Sequence, residues 1–345
     1  MMFGIENSAF TTRRRWLVTG AAGFIGSNLC IYLLKAGQNV VALDNFTTGK
    51  KHNIEDIELA AESLAGSNFT FIEGDICDFE VCKDAAQGVD FVLHQAALGS
   101  VPRSIATPLI SHKANVDGFL NMIQASRENG VKKFVYASSS SVYGDSTELP
   151  KVESKTGALL SPYAATKAIN EVYAAVYQKT YAMQCIGLRY FNVFGPRQDP
   201  NGPYAAVIPK WLSALLTGSP VVINGDGMTS RDFCFIENVV QANLRAAMCE
   251  TQFEKAEVFN VAFGAQTTLQ ELARELRYSL AAAMARPPES FTSIIEHRDF
   301  RAGDVLHSLA NTDKAKTKLG YVPSHSLQTG LEITCKWYFD NQSRL

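Results

Sequence analysis

Tyr163 and Lys167 lie four residues apart in Tyr163-Ala-Ala-Thr-Lys167, downstream of a serine run from Ser138 to Ser141. A helix would put the phenol and the ammonium one turn apart on a shared face. A free phenol has a pKa of about 10 and is a poor base at neutral pH. Lowering that to about 7 takes roughly 4 kcal/mol, at about 1.4 kcal/mol per unit. One positive charge about 5 Å away supplies around 3 kcal/mol at an effective dielectric of about 20. The ammonium and one further cation would complete the shift. This spacing therefore fits proton abstraction by a tyrosinate. Tyr-x-x-x-Lys alone is common, so the reading leans on the N-terminal segment.

There, Gly20-Ala21-Ala22-Gly23-Phe24-Ile25-Gly26 follows an apolar strand and opens a helix. The spacing is GxxGxxG rather than the usual GxGxxG, but the physics is the same. Glycines let the backbone approach a pyrophosphate, and the helix N-terminus offers N–H donors and a positive dipole. Asp44 ends the second strand 18 residues past Gly26, followed by Asn45. A carboxylate there can accept both ribose hydroxyls. It would repel a 2′-phosphate, and no arginine neighbours it, so NAD is favoured over NADP. Lys50 and Lys51 read as surface residues. In Gly74-Asp75-Ile76, Asp75 suits an adenine amino group, with Ile76 beside it. Gln95 and the small Ala96-Ala97 pair would let the cofactor lie across the sheet, while His94 reads as a satisfied histidine at a strand end. An oxidised nicotinamide carries the second positive charge that Tyr163 needs. The tyrosine is thus expected to work as a base only beside a bound dinucleotide.

The elements that must hold these groups alternate. Trp16 to Thr19, Val40 to Leu43, Phe69 to Ile72, Phe91 to Leu93 and Phe134 to Ala137 read as buried strands. Ile25 to Ala36 reads as a helix with Ile25, Leu29 and Leu33 on one face, and Pro108 to Glu128 as a helical stretch. Ser161 is the expected N-cap of the Tyr163 helix, with Pro162 in its first turn. Apolar strands separated by helices predict an α/β fold with a Rossmann-type parallel sheet covered on both faces. After Arg189 the punctuation changes: Pro196, Pro200, Gly202 and Pro203 crowd one loop, and Pro287-Pro288 marks a later break. We expect an NAD-binding domain over residues 1–190, with contributions from later segments. A smaller mixed α/β lobe over 191–345 would take the substrate and cover the open sheet edge, its last helix ending near Tyr338. The segment from Gly49 to Ser67 reads as a loop and helix of no evident purpose.

The 345 residues suffice for a full core, and 46% hydrophobic with 19% charged residues is ordinary for a soluble protein. A net charge of −2 gives no sign of a nucleic-acid or membrane surface. Arg13-Arg14-Arg15 reads as a solvated tail. Seven scattered cysteines without a CxxC pair or a nearby histidine argue against zinc and for free thiols, so no metal is expected. No signal region and no stretch of about twenty apolar residues is evident, which points to the cytoplasm.

Together these residues resemble the extended short-chain dehydrogenase/reductase family, particularly its nucleotide-sugar branch, from about Arg15 to about Pro323. Val142-Tyr143-Gly144, Ser161-Pro162-Tyr163, Leu188 to Arg197 and Arg231-Asp232-Phe233 carry the likeness. The resemblance implies tightly bound NAD, a sugar-nucleotide lobe, and a homodimer whose four-helix bundle contains the Tyr163 helix. By position, Tyr163 resembles the base, and Lys167 the residue that lowers its pKa and holds the nicotinamide ribose. Ser139 resembles the hydroxyl sharing the proton path; Ser140 could assist, and Ser141 could pack or cap. Asn192 resembles a sugar or phosphate contact. Arg231 and Arg301 resemble pyrophosphate clamps, a bidentate task suited to guanidinium, and Asp304 a holder of the uridine ribose. A local Arg231–Asp232 salt bridge is the plainer alternative.

Dehydratases of this branch place Thr-Asp-Glu where this chain has Ser139, Ser140 and Ser141, and elimination needs that acid–base pair. Decarboxylases usually keep a glutamate where Ser141 stands. What the resemblance leaves is a C4 epimerase that oxidises a UDP-sugar and then reduces the 4-ketose from its other face. Ser308 resembles a position that is a bulky tyrosine in epimerases confined to UDP-galactose. Its small side chain would leave room for a 2-acetamido group. Gly99, Ser100, Arg103, Gln198 and Ala206 also resemble the subgroup preferring N-acetylated hexosamines, which includes bacterial O-antigen epimerases. The expected reaction interconverts UDP-N-acetylglucosamine and UDP-N-acetylgalactosamine. Its rival is 4-epimerisation of UDP-N-acetylglucosaminuronic acid or UDP-glucuronic acid, with Arg103 receiving a C6 carboxylate.

Overall fold

The computed structural model describes residues 10, 12–64, 68–201, 205–291, 294–299 and 306–344. The apolar runs form parallel strands: β1 (Arg15–Thr19), β2 (Asn39–Asp44), β3 (Phe69–Glu73), β4 (Phe91–His94), β5 (Lys133–Ser139) and β6 (Cys185–Tyr190). Short pieces follow in β7 (Val193–Phe194), β8 (Val221–Asn224), β9 (Ser230–Arg231) and β10 (Cys234–Phe235). β11 (Glu257–Val261), β12 (Thr267–Thr268) and β13 (Ile295–Arg298) come last. Seven strands make one sheet in the order β11-β6-β5-β4-β1-β2-β3, with every neighbouring pair parallel. The order reverses beside β1, which opens a crevice at the carboxyl ends of β1 and β4. This is the expected Rossmann-type arrangement.

The helices are α1 (Phe24–Lys35), α2 (Lys51–Ser63), α3 (Phe79–Ala85), α4 (Val101–Ala106), α5 (Pro108–His112), α6 (Gly118–Glu128) and α7 (Pro162–Tyr181). Beyond them lie α8 (Val207–Thr217), α9 (Ile236–Met248), α10 (Leu269–Ala283), α11 (Asp313–Leu319) and α12 (Leu327–Asp340). Alternate strand residues serve opposite cores. Val18 and Val135 pack with Leu29 and Leu33 of α1 and Val239 and Leu244 of α9. On the other face, Leu17, Val41 and Phe134 pack with Phe119 and Met122 of α6 and Ala174 of α7. α9 and β11 lie beyond residue 190 and add to the sheet and its cover. No helix among the described residues is long and apolar enough to cross a membrane.

Two local features depart from the sequence expectation. Pro108 to Glu128 is not one regular helix: a π-helical turn, Lys113–Asp117, separates α5 from α6. Within that turn Asn115 is buried; its Oδ1 accepts from Leu98 N at 2.7 Å, and its Nδ2 donates to Leu98 O and Thr166 Oγ1, both at 3.1 Å. A widened turn is the usual way to aim one side chain out of a helical repeat. The second feature is α2, the segment without evident purpose. Its Asn53 Nδ2 donates to Ala22 O at 2.9 Å, and Arg197 donates to Asn53 Oδ1 at 3.2 Å and to Asp56. Helix α2 therefore braces the glycine turn against the loop that leaves β6.

Candidate active site

The glycine turn lies where the sheet order reverses. Gly20 holds φ +67°, and a Cβ there would sit 2.8 Å from Ala96 N. A Cβ on Gly26 would sit 2.1 Å from Gly20 O, so the turn closes only without side chains. Above it opens a cavity of about 450 Å³, lined by all five cofactor candidates of the turn. Asp44, Asn45, Asp75, Ile76, Gln95, Ala96 and Ala97, also cofactor candidates, line it with Gly99, a substrate-side candidate; Tyr163 and Lys167 are not part of this lining. Asp44 is buried, and its oxygens accept from Ala22 N at 2.9 Å and Phe46 N at 2.7 Å. Burial pushes its carboxyl up, and those N–H groups oppose the push. With the Asn45 N–H also on the carboxylate, about one of its roughly four lone-pair sites is left for a further donor. At Asp75 burial also pushes upward, but hydrogen bonds led by Cys77 N–H outweigh it and hold the carboxyl below its usual range. Lys50 pairs with Asp199 at 2.7 Å and adds no free charge beside Asp44. His94 is the satisfied histidine expected: its Nδ1 meets Thr19 Oγ1 at 2.8 Å, and burial pushes it down to about 3.

Helix α7 presents the chemical groups. Ser161 Oγ accepts from Ala164 N at 3.1 Å with Pro162 in the first turn, and Ser104 Oγ accepts from Tyr163 N at 3.0 Å. Lys167 Nζ lies 6.0 Å from the centre of the Tyr163 ring. The protein alone does not lower the phenol: burial pushes Tyr163 up, and the nearby Ser139 hydroxyl opposes the push. Lys167 Nζ is directed at Ala137 O, 2.8 Å away, and burial pushes it down to about 8 while Glu171 pushes it back up. Ser139 Oγ also accepts from Ser141 N at 3.1 Å, capping a single turn over Ser140–Tyr143. Ser140 is half-buried on that turn, and Ser141 Oγ is buried without a hydrogen-bond partner.

The substrate-side candidates scatter more. Ser100 caps α4, its Oγ accepting from Arg103 N at 3.2 Å, with its own φ at +101°. Asn192 Nδ2 donates to Asp232 O at 3.2 Å, and Arg231 Nη1 donates to Ser230 O at 3.0 Å and Leu306 O at 3.1 Å. Ser308 N donates to Ser230 O at 3.1 Å, which seats Ser308 beside β9. Ala206 is the exposed residue preceding α8. Asp232 is held by backbone: it accepts from Phe263 N, Gly264 N and Ala310 N, each at 3.1 Å, and burial pushes it up to about 6. The alternative of a local Arg231–Asp232 pairing is thus not what holds Asp232. Gln198 lines a separate cavity of about 200 Å³ with Arg197 and Trp337, and its Nε2 donates to Val193 O. Arg301 and Asp304 lie outside the described residues.

Residues 16–262 match the NAD dependent epimerase/dehydratase family. The chain belongs to that family. It is similar to a UDP-glucose 4-epimerase of Mycolicibacterium smegmatis, 36% identical with 96% of this chain and 100% of the relative covered. A UDP-glucuronate 4-epimerase of Thermodesulfobacterium geofontis is 30% identical over 94% of this chain and 96% of its own. Among solved structures, a UDP-N-acetylglucosamine 4-epimerase from Methanobrevibacter ruminantium, in complex with UDP-N-acetylmuramic acid, superposes with a TM-score of 0.85. It is 36% identical, with 96% of this chain and 100% of that chain covered.

The family's cofactor, NAD, fits the residues present. A turn that excludes side chains would admit the pyrophosphate, and Asp44, with lone-pair capacity left, would take the ribose. Among the described residues no group of three or more His, Cys, Asp or Glu is placed to hold a metal. Sequence reasoning missed Asn115, Ser104 and Glu171, which fix the family's Tyr163–Lys167 helix from three sides. Glu171 had a signal: it continues the Tyr163, Lys167 spacing by one more helical turn.

Proposed function

We propose that the chain is an NAD-dependent C4 epimerase interconverting UDP-N-acetylglucosamine and UDP-N-acetylgalactosamine through a 4-keto sugar. The observation that carries this is the Ser139–Tyr163–Lys167 cluster beside the dinucleotide cavity, joined to a serine run without any carboxyl. That run supports neither elimination nor the decarboxylase pattern. When bound, NAD supplies positive ring charge and a hydride acceptor that is also the donor. Tyr163 then takes the 4-OH proton, the Ser139 hydroxyl steadies the phenolate, and Lys167 sets the charge around both. In the second half Tyr163 returns the proton to the 4-oxygen after the ketose has turned.

The N-acetyl preference rests on Ser308, half-buried beside β9. Ser308→Tyr is expected to cut kcat/KM for UDP-N-acetylglucosamine by about tenfold or more while sparing UDP-glucose. An equal effect on both sugars, or none, would falsify the steric reading. A uronic acid is the second reading, favoured by the UDP-glucuronate 4-epimerase relative and by Arg103 on the first turn of α4. Side-by-side assays of the acetamido sugar and the uronic acids decide between them. We also propose a homodimer. Val172 and Val176, one turn apart on α7, are 63% and 50% exposed, and Leu109 of the adjacent α5 is 83% exposed. Such a stripe is suited to burial against its copy in a four-helix bundle; light scattering at the monomer mass would contradict it.

A further inference from the structure

Helix α7 carries a third polar residue on the face that holds Tyr163 and Lys167. Glu171 lies one further turn along, so the three side chains form one stripe. The stripe meets three successive residues at the end of β5. Lys167 Nζ donates to Ala137 O at 2.8 Å, Ser138 Oγ donates to Glu171 Oε1 at 2.6 Å, and the Ser139 hydroxyl lies near enough to Tyr163 to oppose its upward push. Arg189 of β6 stands level with Ser138 in the sheet register. It grips the carboxylate with both arms, Nε to Oε1 at 2.9 Å and Nη2 to Oε2 at 2.7 Å. Its Nη1 donates to Glu153 O at 3.0 Å, and its guanidinium lies 4.9 Å over the Tyr143 ring. The two side chains are only 5% and 16% exposed. A buried pair of this kind is weak evidence for stability, because desolvation offsets much of its attraction. Its place under the site gives it another task.

We propose that Glu171 is a positioning residue for the reaction: it locks the Ser138–Ser139 strand end against α7 and supplies the negative charge that holds the buried Lys167 ammonium. Glu171 acts through Ser138 and Lys167 rather than on reacting atoms. The inference rests on the reading of Tyr163 as base and Lys167 as its partner. The remaining ionisable groups facing this stripe stay neutral in the working range. Burial pushes His94 of β4 down to about 3, Tyr136 of β5 well up, and Tyr143 up to about 12. Arg189, and Glu153 on its far side near Tyr143, are the other charges close to the stripe among the described residues. Loss of the Glu171 carboxylate therefore removes the negative charge that favours the Lys167 ammonium and leaves the Arg189 guanidinium without its carboxylate partner. Extra positive potential disfavours the ammonium and favours the phenolate, so both limbs of the pH–rate profile move toward acid.

The test compares kcat against pH, with NAD and UDP-sugar saturating, for the full chain and its variants. In Glu171→Gln the alkaline limb is expected to fall by about one pH unit, with KM changed by no more than about twofold. Glu171→Asp should bring the limb back toward its original place. Ser138→Ala keeps the charge and loses one hydrogen bond. It should lower kcat by roughly three- to tenfold with the limb unmoved. Where the unpaired Arg189 prevents Glu171→Gln from folding, the double variant Glu171→Gln, Arg189→Met removes the stranded cation, and its limb should still fall. An unmoved limb in the folded Gln variant, single or double, overturns the inference. Tyr163→Phe run in parallel separates the two readings. If that variant is inactive and the limb is unmoved, only the role of Glu171 fails; if it turns over normally, the base assignment fails first.

Discussion

Replacing Tyr163 with Phe is expected to lower kcat by about 10³-fold or more while the chain keeps its NAD. The change removes one oxygen and leaves the ring. Helix α7 retains its anchors, because Ser161 caps Ala164 N and Ser104 holds the backbone N–H of residue 163 rather than its side chain. Lys167 keeps its bond to Ala137 O. What disappears is the group that accepts the sugar proton, together with the partner of the Ser139 hydroxyl. The check pairs product formation, followed by NMR of the C4 proton, with the NAD content of the purified variant. Turnover near that of the parent chain removes the assigned base. Loss of NAD along with turnover would instead make Tyr163 a cofactor contact first.

Gly26→Ala is expected to cost the chain its cofactor. The added Cβ would meet Gly20 O at 2.1 Å, Gly20 C at 2.7 Å and Ala21 Cα at 2.8 Å. All three are backbone atoms, so no side chain can swing away. Relief requires opening the turn, which breaks the alignment of Ala22 N with Asp44 and the brace from Asn53 to Ala22 O. Overpacking of this kind costs about 1–3 kcal/mol or more. Felt entirely in the bound turn, that is roughly a ten- to hundredfold loss of NAD affinity. The measurement is NAD retained per chain after gel filtration. Full retention by the Gly26 variant would mean that the turn is not the cradle.

How much of this could be read beforehand depends on the range of each interaction. The glycine turn, Asp44, and the Tyr163–Lys167 pair are local patterns, each within one strand end or one helical turn; the first two border the cavity at the sheet reversal, and the pair meets the end of β5, two strands from β1. The strand alternation was equally legible, because burial on both faces leaves near-continuous apolar runs. The Lys113–Asp117 π turn was not, since one inward-aimed Asn115 leaves the apolar spacing of its helix intact. Arg189 and Glu171 could not be paired by eye either. Their contact exists only because β6 lies beside β5 and under α7. The partners of Asp232 were out of reach for a similar reason: its neighbour in sequence is an arginine, but its hydrogen bonds come from residues 263, 264 and 310. The turn after Phe194 carries Gln198 to a wall shared with Trp337, a neighbour 139 residues away in sequence.

The central claim is that hydrogen leaves a sugar carbon and returns to that same carbon within one closed site. UDP-N-acetylglucosamine carrying deuterium at C4 tests it most directly, with the product read by NMR and mass spectrometry. The label is expected to remain at C4 of UDP-N-acetylgalactosamine, with none in water or in free coenzyme. Epimerised product stripped of deuterium would contradict the account.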